Sequence, residues 1–140
     1  QELVSRTVSP TAIHCWPLLC ERSGAETWVK HENHTATGAF KLRGGLVYVD
    51  RLAKKAPEVS GVIAATRGNH GQSVAVAAAQ SGLTATIVVP PGNSTEKNAA
   101  MRALGAELIN TATISRLPWN MPMISPTNAG FTCCPPVMTT

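Results

Sequence analysis

The feature that most constrains the fold of this chain is a series of apolar runs separated by turns in its second half. Two mainly apolar runs, residues 61–66 and 84–89, are separated by a glycine-bearing turn and an alanine-rich stretch over residues 72–80. An apolar run without alternating polar residues is typical of a strand covered on both faces. The alanine-rich stretch has the composition of a helix and is followed by Gly82. The pattern therefore predicts strand, helix and strand, the unit of a parallel sheet.

The same alternation continues to residue 109. The breakers at residues 90–92 end the second strand, and either Asn93 or Ser94 can cap a helix that runs to Leu104. After a glycine, residues 106–109 have the composition of a third strand. We therefore expect an α/β fold, an open parallel sheet with helices on both faces.

A helix is also predicted upstream of the first strand. It begins near Lys41, directly after the polar segment 33–38, and ends before Pro57. The apolar residues that recur at helical spacing are Leu42, Leu46, Val49 and Ala53. Residues 27–31 have the composition of a short strand before the polar segment. Lys41 is thus expected in the first turn of a helix, immediately after a loop.

Composition and charge exclude several classes of protein. The chain is 44% hydrophobic and 14% charged, which is too apolar for a disordered chain. It has no apolar run of the ~18 residues that span a bilayer, and no basic segment followed by an apolar core at its start. Its net charge of +4 comes from basic and acidic residues that are interleaved, without the basic stripe or the aromatic residues of a nucleic-acid surface. We expect neither a membrane nor a nucleic acid as partner.

The cysteines and histidines predict neither a disulfide framework nor a metal site. Cys15 and Cys20 lack the Cys-x-x-Cys spacing, and Cys133–Cys134 are adjacent. We interpret them as reduced thiols in a reducing compartment, which favours a cytoplasmic location. His31 and His34 lie three residues apart, but no carboxylate or thiolate pattern completes a metal site around them.

The composition changes abruptly after Ile109. Residues 110–140 contain five of the ten prolines, no acidic residue, a single charged residue and no helical or strand period. Such a segment is predicted to form neither a helix nor a central strand. A one-base slip after Ile109 allows the neighbouring reading frame to encode a charged amphipathic helix ending in glycine, the element that a βαβ series needs next. We therefore hypothesise that the tail is a frame-shifted translation.

Lys41 is the first candidate for chemistry. A lysine at a helix start meets the positive end of the helix dipole, and a partly apolar surrounding removes water from it. Both effects favour the uncharged amine, which is the form that attacks a carbonyl. The neighbouring Phe40 offers a flat ring against which a planar cofactor can pack. The alternative is an ordinary solvated lysine at a helix start.

The second candidate is the loop over residues 66–71, where the first parallel strand ends and its helix begins. Ligands of α/β proteins bind at this end of the sheet. Backbone N–H groups of the loop can hold a carboxylate or phosphate, while Asn69 and His70 add an amide and an imidazole. The loop matches neither the GxGxxG nor the GxxxxGK[ST] motif, and an ordinary turn with a capping Asn69 is the alternative.

At this spacing the two segments together resemble a known family. Residues 32–45 read ENHTATGAFKLRGG and residues 66–73 read TRGNHGQS. They look like the corresponding segments of the fold-type II pyridoxal-phosphate enzymes, specifically the serine/threonine dehydratase group, or threonine ammonia-lyases. The similarity extends from the PT and WPLL segments at residues 10–19 to KNAAMRALGA at residues 97–106.

The resemblance implies roles for individual residues. Lys41 would be the catalytic residue and would form a Schiff base with pyridoxal 5'-phosphate, Phe40 would lie beside the ring, and Asn69 would hydrogen-bond the ring's 3-oxygen. The residues that would bind the carboxylate of the amino-acid substrate are Thr66, Arg67, Gly68, Asn69 and His70. Ala39 stands where serine is commoner in the family, which removes one hydroxyl but not the lysine.

The implied reaction is β-elimination from L-threonine or L-serine to a 2-keto acid and ammonia, catalysed by a homo-oligomer. Serine racemase, threonine synthase and cysteine synthase share the lysine and stay open as alternatives, as do a non-catalytic module that binds small anions and a functionless relic. The implied domains are part of a large lobe at 1–50, a partial small lobe at 51–109 and an aberrant tail at 110–140. Because no glycine-rich loop for the cofactor phosphate follows Gly105, we expect this chain to be an inactive fragment.

Overall fold

The computed structural model describes residues 2–110 and two further strands at 123–127 and 130–134. The strands are β1 (Ile13–Cys15), β2 (Trp28–Lys30), β3 (Gly61–Ala65), β4 (Thr84–Val89), β5 (Ala106–Asn110), β6 (Met123–Thr127) and β7 (Gly130–Cys134). The helices are α1 (Glu2–Ser5), α2 (Pro17–Ser23), α3 (Lys41–Lys55), α4 (Asn69–Gln80) and α5 (Thr95–Ala103), with a 3-10 helix at Glu32–His34. None of these described helices has the length and apolar character needed to cross a membrane.

The larger sheet confirms the predicted α/β architecture. Its strands lie in the order β5-β4-β3-β6-β7, and β3, β4 and β5 are parallel to one another. Helix α4 connects β3 to β4, and α5 connects β4 to β5, which are the crossovers that parallel neighbours require. The short strands β1 and β2 form a separate antiparallel pair. The carboxyl ends of the parallel strands therefore lie at one edge of the sheet, where α4 begins.

Most predicted boundaries agree with the structure to within one or two residues. The strand predicted at 84–89 is β4, residue for residue. The predicted cap of α5 is Ser94, whose Oγ accepts the backbone N–H of Lys97 at 3.3 Å. Helix α4 begins at Asn69, three residues before the alanine-rich stretch, so the end of the predicted loop is its first turn.

The expectation that the tail forms no central strand is wrong for residues 123–127. These residues form β6, which lies between β3 and β7. Only Met123 and Ile124 pair with β3, in parallel, whereas Pro126 lies opposite Phe131 of the antiparallel β7. A proline has no N–H to donate, and it is tolerated here because the pairing with β3 has already ended.

The predicted division into domains stays a prediction. Its boundary at residue 50 lies inside α3, which runs unbroken to Lys55. The rest of the predicted tail, residues 111–122, 128–129 and 135–140, lies outside the described residues.

The core forms between α3, α4 and the parallel strands. Three residues of the predicted apolar face of α3 are buried, with Leu42 and Val49 at 0% exposure and Leu46 at 3%, and the fourth, Ala53, is half-buried. Helix α4 offers mostly alanine and glycine to its neighbours, so α3 and α5 both approach it closely. In β3 the consecutive residues Val62 and Ile63 point to opposite faces, and both are buried. The sheet is therefore covered on both faces at this strand, as its continuous apolar sequence predicts.

Two cysteine thiols are in contact in the N-terminal part of the chain. Cys15 Sγ and Cys20 Sγ are free and lie 3.3 Å apart. The backbone N–H of Thr27 donates to Cys20 Sγ at 3.2 Å, and this hydrogen bond lowers the pKa of Cys20. The shared hydrogen bond with Cys20 raises the pKa of Cys15. The end of β1 and the helix α2 thus hold two free thiols with different tendencies to ionise.

An ion pair holds the segment before α3 against that helix. Arg43 Nε and Nη2 donate to Glu32 Oε2 and Oε1 at 2.8 and 3.0 Å, and Thr11 Oγ1 donates to Oε1 at 2.7 Å. The Glu32 side chain is only 16% exposed. The Arg43 guanidinium is the main cause that holds the pKa of Glu32 below its ordinary value of 4.5. These charge-assisted hydrogen bonds fix the loop that leads to Lys41.

Replacing this carboxylate should therefore destabilise the protein. We expect Glu32→Gln to lower the free energy of unfolding at neutral pH by about 2 kcal/mol, because charge-assisted hydrogen bonds to Arg43 are lost. The folded-state pKa of Glu32 is depressed, so its stabilisation is complete above 4.5 and is lost as the pH falls through the folded-state value. Urea unfolding of the unaltered chain and of Glu32→Gln at several pH values measures the difference between their free energies of unfolding. This difference should become smaller below pH 4.5.

Glu21→Gln is the control, because Glu21 is an exposed glutamate on α2. It should leave the stability unchanged throughout. An equal loss for both variants, or a loss at Glu32 that persists in acid, would contradict a role for the ion pair.

Candidate functional site

A cleft of about 340 Å3 opens where α3 and α4 begin. Lys41 is the first residue of α3 and Asn69 is the first residue of α4, and both line the cleft. Phe40 lines it as well and is 65% exposed, which leaves its ring accessible. The structure thus brings together all three residues that were predicted to bind the cofactor. The other residues that line the cleft are Lys30, Glu32, Asn33, Gly38 and Ala39.

A tight turn delivers the chain to Lys41. The buried Thr35 accepts the backbone N–H of Ala39 on its Oγ1 and the backbone N–H of Gly38 on its carbonyl oxygen, at 3.0 and 2.9 Å. Gly38 has a φ of +61°, in the left-handed region that glycine adopts without a steric penalty. The hydroxyl and the glycine therefore set the direction in which Phe40 and Lys41 leave the loop.

Both helices start at the cleft without a side-chain cap. Their N-cap residues are Phe40 and Gly68, and within residues 2–110 neither helix receives a capping hydrogen bond from a side chain at its start. The first N–H groups of a helix lack partners inside the helix and carry the positive end of its dipole. Two such helix starts at one cleft favour a bound anion such as a carboxylate or a phosphate.

The two lysines of the cleft differ in their surroundings. Lys30 Nζ donates to the Thr11 carbonyl oxygen at 3.0 Å and lies 3.8 Å from Glu32 Oε1. Lys41 Nζ, by contrast, makes no hydrogen bond or ion pair with any residue in the range 2–110. Lys41 is therefore the amine of this cleft that is available to react with a carbonyl.

The residues predicted to bind the substrate carboxylate do not all reach the cleft. Asn69 lines it, whereas Thr66, Arg67, Gly68 and His70 do not. Arg67 is exposed, and the Thr66 hydroxyl accepts the backbone N–H of Gly68 at 3.4 Å. His70 is only 2% exposed in the first turn of α4. The substrate roles of these four residues stay predictions.

Three residues near the site were missed from the sequence. Lys30 and Glu32 line the cleft, and the side chain of Lys97 on α5 covers Gly68, where an added Cβ would lie 3.0 Å from Lys97 Cδ. Glu32 and Lys97 lie in the segments that carry the family resemblance, but their spacing gave no sign of a contact with the site. Lys97 thus brings a positive charge to the loop that precedes α4, in addition to the charge of Arg67 within that loop.

The histidines near the N terminus form ring contacts with one another. The ring centroids of His31 and His34 lie 5.8 Å apart in a stacked arrangement, and those of His14 and His31 lie 5.5 Å apart. Trp16 Nε1 donates to His31 Nε2 at 3.3 Å. In the described part of the chain, no three His, Cys, Asp or Glu side chains lie close enough to hold a metal ion. These rings therefore pack against each other at the surface.

Comparisons with known proteins identify relatives of this arrangement. A family profile described as "Pyridoxal-phosphate dependent enzyme" matches residues 4–118, nine residues beyond Ile109. The L-threonine ammonia-lyase of Thermotoga maritima is 38% identical over 109 residues, and the L-threo-3-hydroxyaspartate ammonia-lyase of Saccharomyces cerevisiae is 36% identical over 106 residues. These alignments cover 78% and 76% of this chain.

A solved structure shows a similar fold. It is a pyridoxal 5'-phosphate-dependent aspartate racemase, which superposes with a TM-score of 0.76 over 89% of this chain at 27% identity. The chain spans 27% and 32% of the two ammonia-lyases and 42% of the racemase. The profile match covers most of the chain and includes every residue that lines the cleft. By its sequence and its fold, this chain belongs to the family of pyridoxal-phosphate dependent enzymes, within which its relatives include ammonia-lyases.

Proposed function

We propose that this chain is part of a pyridoxal-phosphate dependent ammonia-lyase that converts L-threonine or L-serine to a 2-keto acid and ammonia, and that the 140-residue chain alone is inactive. The single observation that carries this proposal is the cleft in which the available amine of Lys41 and the side chain of Asn69 meet at two helix starts. The names of the relatives support ammonia release as the outcome. A cytoplasmic location and a homo-oligomeric enzyme are part of the same proposal.

The residues of the cleft fit the cofactor. An aldehyde needs a primary amine without other partners, which Lys41 offers. A planar ring needs an apolar surface and a hydrogen-bonding group at its edge, which the exposed Phe40 and the amide of Asn69 offer. When bound there, pyridoxal phosphate supplies an electron-withdrawing ring that stabilises negative charge on the α-carbon of an amino acid.

The protein groups would then have separate tasks. Lys41 Nζ would hold the cofactor through its aldehyde carbon, and the same amine, when released, would accept the proton from the substrate α-carbon. The backbone N–H groups at the start of α4 orient the substrate carboxylate, and the charge of Lys97 beside Gly68 favours an anion there. The β-hydroxyl of the substrate would leave as water after receiving a proton, which the protonated Lys41 Nζ can return. The enamine that remains would then take up one water molecule and hydrolyse to the keto acid and ammonia.

A racemase is the second candidate, and the superposition with the aspartate racemase favours it. Both reactions begin with removal of the α-proton, which needs the same lysine. They differ in the next step, because a racemase returns a proton to the opposite face of the α-carbon and keeps the β-substituent. Keto-acid release from L-threonine or L-serine supports the lyase, while a change in optical rotation without keto acid supports the racemase.

The first test asks which lysine reacts with the cofactor. The chain is incubated with pyridoxal phosphate, borohydride makes the bond between aldehyde and amine permanent, and peptide mapping locates the label. We expect Lys41 to carry most of the label at low cofactor concentration, because its amine has no competing partner within residues 2–110. Lys41→Ala should abolish this label.

Lys30→Ala is the matched control, since Lys30 lines the same cleft but is bound to the Thr11 carbonyl and lies near Glu32. It should leave the label on Lys41 intact. Equal labelling of all lysines, or a label that survives Lys41→Ala at the same level, would overturn the proposed role of Lys41.

The second test concerns turnover by the 140-residue chain alone. We expect no keto acid from L-threonine or L-serine beyond the level with pyridoxal phosphate alone, because the sequence after Gly105 has no glycine-rich loop for the cofactor phosphate. Coupled detection of the keto acid measures this, with the Lys41→Ala chain as control. Turnover that depends on Lys41 would contradict the expected inactivity while supporting the lyase.

A further inference from the structure

A buried serine connects the two helices of the candidate site. Ser73 Oγ, on α4, donates to the backbone carbonyl oxygen of Lys41 on α3 at 2.8 Å. The Ser73 side chain is 0% exposed, so water does not replace this partner. The hydrogen bond thus ties the residue that bears the amine to the neighbouring helix.

The residues around this hydrogen bond occupy equivalent positions on the two helices. Asn69 and Ser73 are four residues apart on α4, as are Lys41 and Gly45 on α3, so each pair lies on one face of its helix. Lys41 and Asn69 line the cleft, while Gly45 and Ser73 are in direct contact. A shift of α3 along α4 would therefore move the amine of Lys41 relative to the amide of Asn69.

Gly45 makes the room that the serine needs. A Cβ at this position would overlap Ser73 Oγ, and it would also lie 3.2 Å from the Ser73 carbonyl oxygen. Any larger residue at 45 must displace the hydroxyl from the Lys41 carbonyl. The glycine and the serine therefore act as one unit.

The hydroxyl itself needs an explanation beyond packing. The other buried small residues of α4 include Ala75, Ala77 and Ala78, which fill the same interior without a polar atom. A serine inside a helix ordinarily bonds back to a carbonyl of its own helix, but Ser73 donates to another helix. A burial site that only required a small side chain would be served by alanine.

From these contacts we infer that Ser73 is a positioning residue: its hydrogen bond to the Lys41 carbonyl holds the Lys41 amine and the Asn69 amide in register, and Gly45 provides its space. This inference rests on the proposed function only in taking Lys41 as the residue that binds pyridoxal phosphate. Ser73 itself does not line the cleft.

The test measures the pyridoxal phosphate concentration that gives half-maximal borohydride-fixed label on Lys41. In Ser73→Ala we expect this concentration to rise about fivefold, the effect of losing one hydrogen bond of average strength. The label on Lys54 and Lys55, at the far end of α3, should not change. A global loss of structure would instead alter the labelling of every lysine.

Thr84→Val is the matched control, because the Thr84 hydroxyl also donates to a backbone carbonyl of another segment, that of Ser60 at 3.3 Å. Thr84 lies at the amino end of β4, away from the start of α4. This variant should leave the half-maximal concentration for Lys41 unchanged. A similar rise in both variants would overturn a specific role for Ser73.

The glycine gives a second, independent measurement. Gly45→Ala should raise the half-maximal concentration at least as much as Ser73→Ala, whereas Gly44→Ala, an exposed neighbour in the same helix, should not raise it. In the double variant Gly45→Ala/Ser73→Ala the two effects should not add, because either change alone removes the hydrogen bond. Additive effects would overturn the inference that the two residues act as a unit.

Amide hydrogen exchange supplies a readout without the cofactor. The Gly45 amide lies one turn after Lys41 in α3, and its exchange should become about fivefold faster in Ser73→Ala if the serine holds the start of that helix. The inference fails if exchange and labelling are both unchanged. The proposed function fails separately, if Lys41 of the unaltered chain is not labelled in preference to Lys30.

Discussion

Lys41 and Asn69 share a cleft because α3 and α4 approach each other closely. Glycine and small side chains one turn after these two residues allow that approach. Each residue begins a different helix, and neither helix start is fixed by a side-chain cap in residues 2–110. Their relative position therefore depends on what holds the first turns together. The contact of Gly45 with Ser73, and the hydrogen bond from Ser73 to the Lys41 carbonyl, supply that restraint. Interior packing resists small shifts, so one well-placed contact fixes both side chains.

A second restraint acts on the same lysine from the loop side. Glu32 forms an ion pair with Arg43, which lies two residues after Lys41 in α3. Thr35 closes the turn that contains Gly38. The loop therefore cannot move without breaking charge-assisted hydrogen bonds, which are stronger than neutral ones. The same carboxylate lies near Lys30, so one acidic group both supports the loop and engages the competing amine. This explains why the cleft offers one available lysine although two line it.

The sequence was sufficient to predict the parallel strands, since β3 and β4 are continuous apolar runs that a sheet covered on both faces requires. Periodicity also identified the buried face of α3. It did not predict that α4 begins at Asn69, because Gly68 and Gly71 suggest a turn. Gly71 is helical, and an added Cβ there would overlap Met101, so the glycine meets a tertiary contact that no local pattern encodes. The strand β6 was missed for a related reason, since a proline excludes a strand only where its missing N–H is needed.

The candidate site shows the same division between local and long-range information. Lys41 could be singled out because it stands at a predicted helix start, and Asn69 because it lies in the loop that leads to a predicted helix, where backbone N–H groups and the helix dipole favour anions. The hydrogen bond from Ser73 to the Lys41 carbonyl joins residues 32 positions apart in the sequence. It also requires that residue 45 be a glycine, so spacing alone could not indicate it. The proton that Lys41 would remove is the same one in a lyase and in a racemase. The cleft therefore bears on the step that the two proposed reactions share and does not distinguish between them.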